Sequence, residues 1–127
     1  DRDFRDVPHV RYLGPLSRFE LIRLMKAAAA LVVPSTYEGF GLPLLDAQNV
    51  GVPVVASSAG ALPEIAGDSA VLFDPHSEED MATAMKRALL DTDLRERLIE
   101  KGHENARSFS WDRTARETLD VYKAVAS

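Results

Sequence analysis

The chain has 127 residues, 46% hydrophobic and 28% charged, which is the composition of one globular domain with a single core. Its 15 basic and 20 acidic residues give a net charge of −5, which argues against a nucleic-acid-binding surface. The absence of cysteine excludes disulfides, and the longest apolar run, residues 27–34, is too short to span a bilayer. We therefore expect a cytoplasmic protein with no nucleic-acid partner and no membrane-spanning segment.

The first half of the sequence alternates short apolar strands with helices. Strands are predicted over residues 9–13, 31–33, 54–56 and 70–73. A capping box of Ser17 and Glu20 opens the first helix. Helices are predicted between the strands, over residues 17–29, 42–50 and 61–66. This alternation predicts a parallel sheet, so the expected fold class is α/β, with a Rossmann-like sheet of about four strands.

The second half of the sequence is helical to its end. Three helices are predicted, the first capped by Ser77, the second starting near Asp93 and the third capped by Ser110. The third helix carries an apolar stripe headed by Trp111, which we interpret as a packing anchor rather than a platform for a sugar ring. Flanking helices and a C-terminal run of three helices thus complete the expected fold class.

Residues 38–46 follow a predicted strand and combine a glycine-containing loop with a helix start. The apolar run before them is typical of a buried parallel strand, and Pro43 stands in the first turn of the following helix. Gly39 and Gly41 let the backbone approach a ligand closely, and the free N–H groups of a helix start favour an anion or sugar hydroxyls. Ligands gather at the carboxyl ends of parallel strands, where this loop and the loop at residues 57–60 are both expected.

The sequence becomes recognisable at this loop. Residues 34–45 read Pro-Ser-x-x-Glu-Gly-Phe-Gly-Leu-Pro-x-Leu, and residues 51–57 read Gly-x-Pro-Val-Val-Ala-Ser. The pattern resembles the group 1 retaining glycosyltransferases of GT-B architecture, whose signature is a glutamate, seven residues and a second glutamate. The resemblance extends from Val10 to Trp111. One position differs, because the second acid of the signature is Asp46 here.

The resemblance implies a role for each matched residue. Glu38 is the candidate catalytic residue and is expected to lie beside the donor sugar. Asp46 is expected to hold ribose hydroxyls. The other candidate donor-binding residues lie in the two strand-end loops: Gly39, Phe40, Gly41, Leu42, Ser57, Ser58 and Gly60. We expect no metal and no cofactor besides the nucleotide-sugar substrate, since the three histidines share no ligand spacing.

The resemblance also implies parts that this sequence lacks. Family C-terminal domains begin with two further strands and a Gly-Arg…Lys-Gly loop that clamps the diphosphate, and nothing before His9 resembles them. The acceptor-binding N-terminal domain is absent as well. We therefore expect residues 1–127 to be a single partial C-terminal, nucleotide-sugar-binding domain that is inactive alone. Its partner would be the missing N-terminal domain or a second copy of the chain.

A second interpretation is a non-catalytic α/β module, engineered or degenerate, that self-assembles through its incomplete sheet. Asp46 favours this interpretation, whereas the intact turn at residues 38–44 favours the donor-binding one. In the family, the two absent strands lie between those matched by residues 9–13 and 31–33. Either the first of these strands pairs directly with the second, or another copy supplies the pairing. We expect a homodimer or higher oligomer, since apolar helix faces would otherwise stay exposed.

Overall fold

A computed structural model of the chain describes residues 7–126 and shows a parallel sheet with helices packed on both faces. The elements in chain order are α1 (Arg18–Ala27), β1 (Leu31–Val33), α2 (Leu42–Asn49), β2 (Val54–Ser57), α3 (Leu62–Ala66), β3 (Ala70–Phe73), α4 (Glu78–Leu90), α5 (Thr92–Ser108) and α6 (Trp111–Ala126). The α/β class, the alternation of strands with helices and the C-terminal run of three helices are confirmed.

The sheet has the strand order β1-β2-β3, and both pairings are parallel. In register, Leu31 of β1 stands opposite Val54 of β2, which in turn stands opposite Ala70 of β3. All four residues of β2 are buried, because this strand is central and covered on both faces. The carboxyl ends of β1 and β2 therefore lie side by side at one edge of the sheet.

Two apolar clusters cover the two faces of the sheet. Val54 and Ala56 belong to the cluster that α1, α2 and α3 complete, while Val55 belongs to the cluster shared with β3, α4 and α5. This division follows from the period of two along a strand, which sends alternate side chains to opposite faces. Leu44 and Leu62 in the first cluster and Phe73 in the second are the largest fully buried apolar side chains, each at most 2% exposed.

The start of α1 forms as the sequence predicts. The Ser17 hydroxyl accepts a hydrogen bond from the N–H of Glu20, and the Glu20 carboxylate accepts one from the N–H of Ser17 at 2.9 Å. The Ser17 hydroxyl also donates to that carboxylate at 2.6 Å. These hydrogen bonds, the hydroxyl's first, lower the pKa of the Glu20 carboxyl below its ordinary value.

The strand predicted over residues 9–13 is wrong. The chain turns at residues 7–9, where His9 has a φ of +66° and the N–H of Val10 donates to the carbonyl of Val7. Residues 10–14 then run without regular structure, and Tyr12 is 69% exposed. A strand needs a neighbour for its backbone groups, and the edge of β1 is left unpaired within residues 7–126. The described sheet therefore has three strands rather than about four.

The interpretation of Trp111 as a packing anchor is also wrong. Its side chain is 78% exposed, and α6 has no buried residue. The apolar stripe exists, but every residue of α6 is exposed. Periodicity predicts that a helix is amphipathic, and it does not identify the surface that covers the apolar face.

Among the described residues, no helix is both long enough and apolar enough to cross a bilayer.

Candidate functional site

Two loops meet at the carboxyl edge of the sheet. The motif loop, residues 34–41, leads from β1 to α2, and the second loop, residues 58–61, leads from β2 to α3. Because β1 and β2 are parallel neighbours, these loops leave the sheet side by side. The prediction that both loops lie at the carboxyl ends of neighbouring strands is therefore confirmed.

The motif loop ends at Gly41, which occupies the N-cap position of α2 with a φ of +101°. This conformation favours glycine, and a Cβ at this position would lie 3.0 Å from the Cδ2 of Leu62. No side chain caps α2, and Pro43 in its first turn has no N–H. Within residues 7–126, the N–H groups of Phe40, Gly41 and Leu42 donate to no protein acceptor. Three donors thus lack a protein partner where the helix dipole is positive, and those of Phe40 and Leu42 belong to exposed residues.

Glu38 lies beside this helix start. Its side chain is half-buried, and its Cγ would lie 3.9 Å from a Cβ placed on Gly41. Its backbone carbonyl accepts a hydrogen bond from the N–H of Ala61 at 3.0 Å. A carboxylate and a set of free N–H groups therefore stand next to each other, which allows one ligand to contact both.

Asp46 lies on the second turn of α2 and forms an ion pair with Arg18 of α1. The Arg18 Nη2 is 2.8 Å from the Asp46 Oδ1. The Asp46 side chain is 19% exposed and that of Arg18 is 78% exposed, so the pair contributes at most about 1 kcal/mol to stability. The sequence does not predict the contact with Arg18, because the two residues are 28 positions apart and no local pattern joins them.

A cavity of about 220 Å³ adjoins this ion pair. It lies between the exposed side of α2, the start of α1 and the junction of α5 with α6. The rings of Phe40 and Phe109 meet edge to face at 5.8 Å on its wall, next to the exposed indole of Trp111. The lining residues are Arg18, Phe40, Leu42, Leu45, Asp46, Asn49, Ala106, Phe109, Ser110, Trp111 and Thr114. The cavity combines aromatic faces with one carboxylate and one guanidinium group.

The predicted residues around the second loop occupy different environments. Ser57 is fully buried, and its hydroxyl donates to the Ser35 carbonyl at 2.5 Å. Ser58 is exposed, and its N–H donates to the Phe73 carbonyl at 2.8 Å. Gly60 is exposed, with a φ of +60°. Ser57 therefore faces the motif loop, while Ser58 and Gly60 reach the surface.

No group of three or more His, Cys, Asp or Glu side chains in the described part of the chain is arranged to hold a metal ion.

Residues 6–105 match the family described as glycosyl transferases group 1. The chain belongs to this family. It is 44% identical over 118 residues to a D-inositol 3-phosphate glycosyltransferase of Nocardioides sp., a match that covers 91% of this chain and 26% of the relative. It is 40% identical over 116 residues to the O-antigen chain mannosyltransferase B of Escherichia coli, covering 91% of this chain and 30% of that one.

A solved structure supports the same assignment for the fold. The sucrose-phosphate synthase of Thermosynechococcus elongatus superposes with a TM-score of 0.81 at 31% sequence identity. The superposition covers 93% of this chain and 31% of the synthase. The resemblance to a group 1 glycosyltransferase with a GT-B domain is thereby confirmed. The chain spans between a quarter and a third of the length of these glycosyltransferases.

Proposed function

We propose that this member of the glycosyl transferases group 1 family is the donor-side portion of a retaining glycosyltransferase. It binds a nucleotide-sugar and is inactive without an acceptor-binding domain. The observation that carries the proposal is the set of unpartnered N–H groups at residues 40–42 beside the Glu38 carboxylate. The names of the two curated relatives, which describe glycosyl and mannosyl transfer, support the same class of reaction.

The diphosphate of the donor would bind at the start of α2. Free backbone N–H groups and the positive end of the helix dipole both favour an anion, and Phe40 and Leu42, on either side of the buried, left-handed Gly41, are exposed. The same fixed dipoles would stabilise the charge that develops on the leaving diphosphate during glycosyl transfer. Because they are already oriented in the free protein, little reorganisation is needed at the moment of reaction.

Glu38 would contact the donor sugar. Its carboxylate accepts hydrogen bonds, so a pair of sugar hydroxyls can donate to it while the diphosphate occupies the neighbouring N–H groups. This arrangement fixes the sugar relative to its leaving group, which is the requirement for transfer to an acceptor.

The nucleoside would extend toward Asp46 and the cavity beside it. Arg18 engages the Oδ1 of Asp46, and within residues 7–126 the second carboxylate oxygen has no hydrogen-bond partner, which leaves it for a ribose hydroxyl. The exposed faces of Phe40 and Trp111 offer apolar surface to a flat base.

Titration of the chain with UDP-glucose, GDP-mannose, UDP and GDP tests this function. We expect ¹H–¹⁵N amide shifts concentrated at residues 38–42 with at least one nucleotide. Glu38→Gln should weaken the binding of a sugar nucleotide and leave that of the matching free nucleotide unchanged. Glu64→Gln, at an exposed position of α3, is the matched control. Shifts confined to other surfaces, or no binding by any of the four ligands, would overturn the proposal.

The unpaired edge of β1 favours self-assembly as a second candidate function. A second cavity of about 220 Å³ lies beside this strand and is lined by Ala29, Ala30, Val32, Val55, Met85 and Leu89. Two copies that joined their β1 edges would satisfy the open backbone groups and cover this apolar surface. Sedimentation at micromolar concentration should then give twice the monomer mass of 14.0 kDa. Val32→Lys should dissociate the pair and Val10→Lys should not, whereas a wild-type monomer would exclude the assembly.

A further inference from the structure

We propose that Gly60 is a positioning residue that holds the backbone of Glu38. The second loop would then affect donor binding indirectly, by fixing the position of Glu38 in the motif loop. The inference rests on the proposed function, in which Glu38 contacts the donor sugar. It assigns Gly60 and Ser57 a role in orienting the motif loop rather than in contacting the nucleotide.

The contact between Gly60 and Glu38 is made by backbone atoms. A Cβ placed on Gly60 would lie 2.7 Å from the carbonyl oxygen of Glu38 and 2.8 Å from its nitrogen. Both distances are shorter than a Cβ tolerates, and backbone atoms cannot rotate aside as the end of a flexible side chain can. Any side chain at position 60 would therefore displace the peptide that carries the Glu38 side chain.

Two hydrogen bonds from residues at and after the end of β2 also hold the motif loop. The N–H of Ala61 donates to the Glu38 carbonyl at 3.0 Å, immediately after the Gly60 contact. At the base of the loop, the buried Ser57 hydroxyl donates to the Ser35 carbonyl at 2.5 Å. The segment from 35 to 38 is thus held at both ends by the chain that leaves β2.

Gly60 meets two requirements that can be separated experimentally. Its φ of +60° favours glycine, although asparagine also adopts this conformation readily. The close approach to Glu38 excludes every residue with a Cβ, asparagine included. Gly67 provides the control for a positive φ without a close contact, because its φ is +54° and a Cβ there would meet no atom within 4 Å.

The experiment compares Gly60→Asn, Gly60→Ala and Gly67→Ala in the 127-residue chain. Calorimetry would give the affinities for UDP-glucose, GDP-mannose, UDP and GDP, and NMR would give the amide shifts of the ligand-free proteins. Both Gly60 variants should bind a sugar nucleotide about tenfold more weakly, since a displaced Glu38 loses its hydrogen bonds to the sugar. Their affinity for the free nucleotide should stay within about twofold, because the N–H groups of α2 and Asp46 remain. Gly67→Ala should lose stability without changing either affinity.

Each outcome decides the inference. A Gly60→Asn protein with wild-type affinity for sugar nucleotides and unchanged shifts at residues 35–41 would overturn it. If the wild-type chain binds no sugar nucleotide, the proposed function fails, yet shifts confined to residues 35–41 in the Gly60 variants would still support the positioning contact. Should the Gly60 variants not fold, Ser57→Ala replaces them. Ser57→Ala should lower the affinity for a sugar nucleotide and leave the affinity for the free nucleotide unchanged. Equal losses of both affinities would contradict the positioning role.

Discussion

At the N-terminal end of α2, the N–H groups of Phe40, Gly41 and Leu42 have no partner within residues 7–126, whereas Gln48 near the C-terminal end is fully hydrogen-bonded. The Gln48 Nε2 donates to the Ser69 hydroxyl at 2.7 Å, and its Oε1 accepts from the Asn105 side chain at 2.8 Å. One helix therefore keeps its polar groups open where a ligand is expected and satisfies them where it packs into the core. The difference separates the proposed ligand-binding end from a structural end.

The structural end joins three helices and a loop. Asn105 of α5 also donates to the Ile65 carbonyl at the end of α3, and the Ser69 hydroxyl donates to the Ala66 carbonyl. Gln48 and Ser69 are each 1% exposed. In a buried site every hydrogen bond lost leaves a group that water cannot reach, so this network should dominate stability without touching a ligand.

The largest expected effect is that of Gln48→Ala. It removes the hydrogen bonds to Ser69 and Asn105 and leaves a cavity under α5, which together should lower the free energy of unfolding by about 3 kcal/mol. Urea denaturation followed by circular dichroism measures it. Asn49→Ala, at the exposed neighbouring position, should change stability by less than about 0.5 kcal/mol. Equal effects for the two variants would show that the network contributes nothing.

Gly102→Ala tests the packing around Gln48 at the structural end of α2. A Cβ there would lie 3.1 Å from the Cγ of Gln48, which its hydrogen bonds hold in place. We expect overpacking to outweigh the gain in helix propensity and to lower stability by about 1 kcal/mol.

The Gln48→Ala background provides the control, since the Cγ is gone. There, Gly102→Ala should stabilise the protein instead, and a loss of stability in both backgrounds would contradict the packing explanation.

Asp46→Glu tests the open end of α2. The added methylene extends the carboxylate by about 1.5 Å, one bond length, and should shorten its proposed contact with ribose. Nucleotide affinity should rise about fivefold, or about 1 kcal/mol, which is the net scale of one hydrogen bond to a charged group. Calorimetry with UDP and GDP measures the change, and Glu64→Asp on α3 serves as control. Identical affinities of the wild-type chain and the Asp46→Glu variant would mark this residue as a helix-surface acid.

The smallest expected effect lies at the solvent-exposed border of the network, where Lys101 and Asp68 form an ion pair. The hydrogen bond from Lys101 lowers the pKa of the Asp68 carboxyl. A lowered pKa in the folded state adds stability above the unfolded pKa, about 3.9 for aspartate, and that stability is lost as pH falls through the folded value.

Asp68→Asn should therefore reduce the melting temperature slightly at pH 7 and leave it unchanged near pH 2. Thermal melts at both pH values measure this, with Glu104→Gln on the exposed side of α5 as control. A loss of equal size at both pH values would assign the effect to something other than the charge.

Local chemistry in the sequence predicted much of this fold. The capping box of Ser17 and Glu20 and the glycine at position 41 each specify their own backbone geometry, and the structure has both. The strand at residues 9–13 failed because a strand exists only with a partner, and its short apolar pattern carries no information about one. The stripe headed by Trp111 failed for the same reason.

The site was predictable only in part. The motif identified the loop and its two acids, since these residues lie in one continuous stretch of sequence, residues 38–46. Arg18, which pairs with Asp46, and the contact of Gly60 with Glu38 were not predictable, because both arise where separate segments meet in three dimensions. The Gln48 network spans residues 48, 69 and 105 and was missed on the same ground.

The strand order β1-β2-β3 has a consequence for how the protein is made. Neighbours in the sheet are also successive strands along the chain, joined by residues 34–53 and 58–69, so no strand pairing has to close a longer segment of chain than these. The whole sheet, with the motif loop and the second loop at its edge, is encoded before residue 74. During synthesis the edge that carries the proposed site therefore leaves the ribosome before α4, α5 and α6, while one face of the sheet must wait for α4 and α5 and the Gln48 network for Asn105.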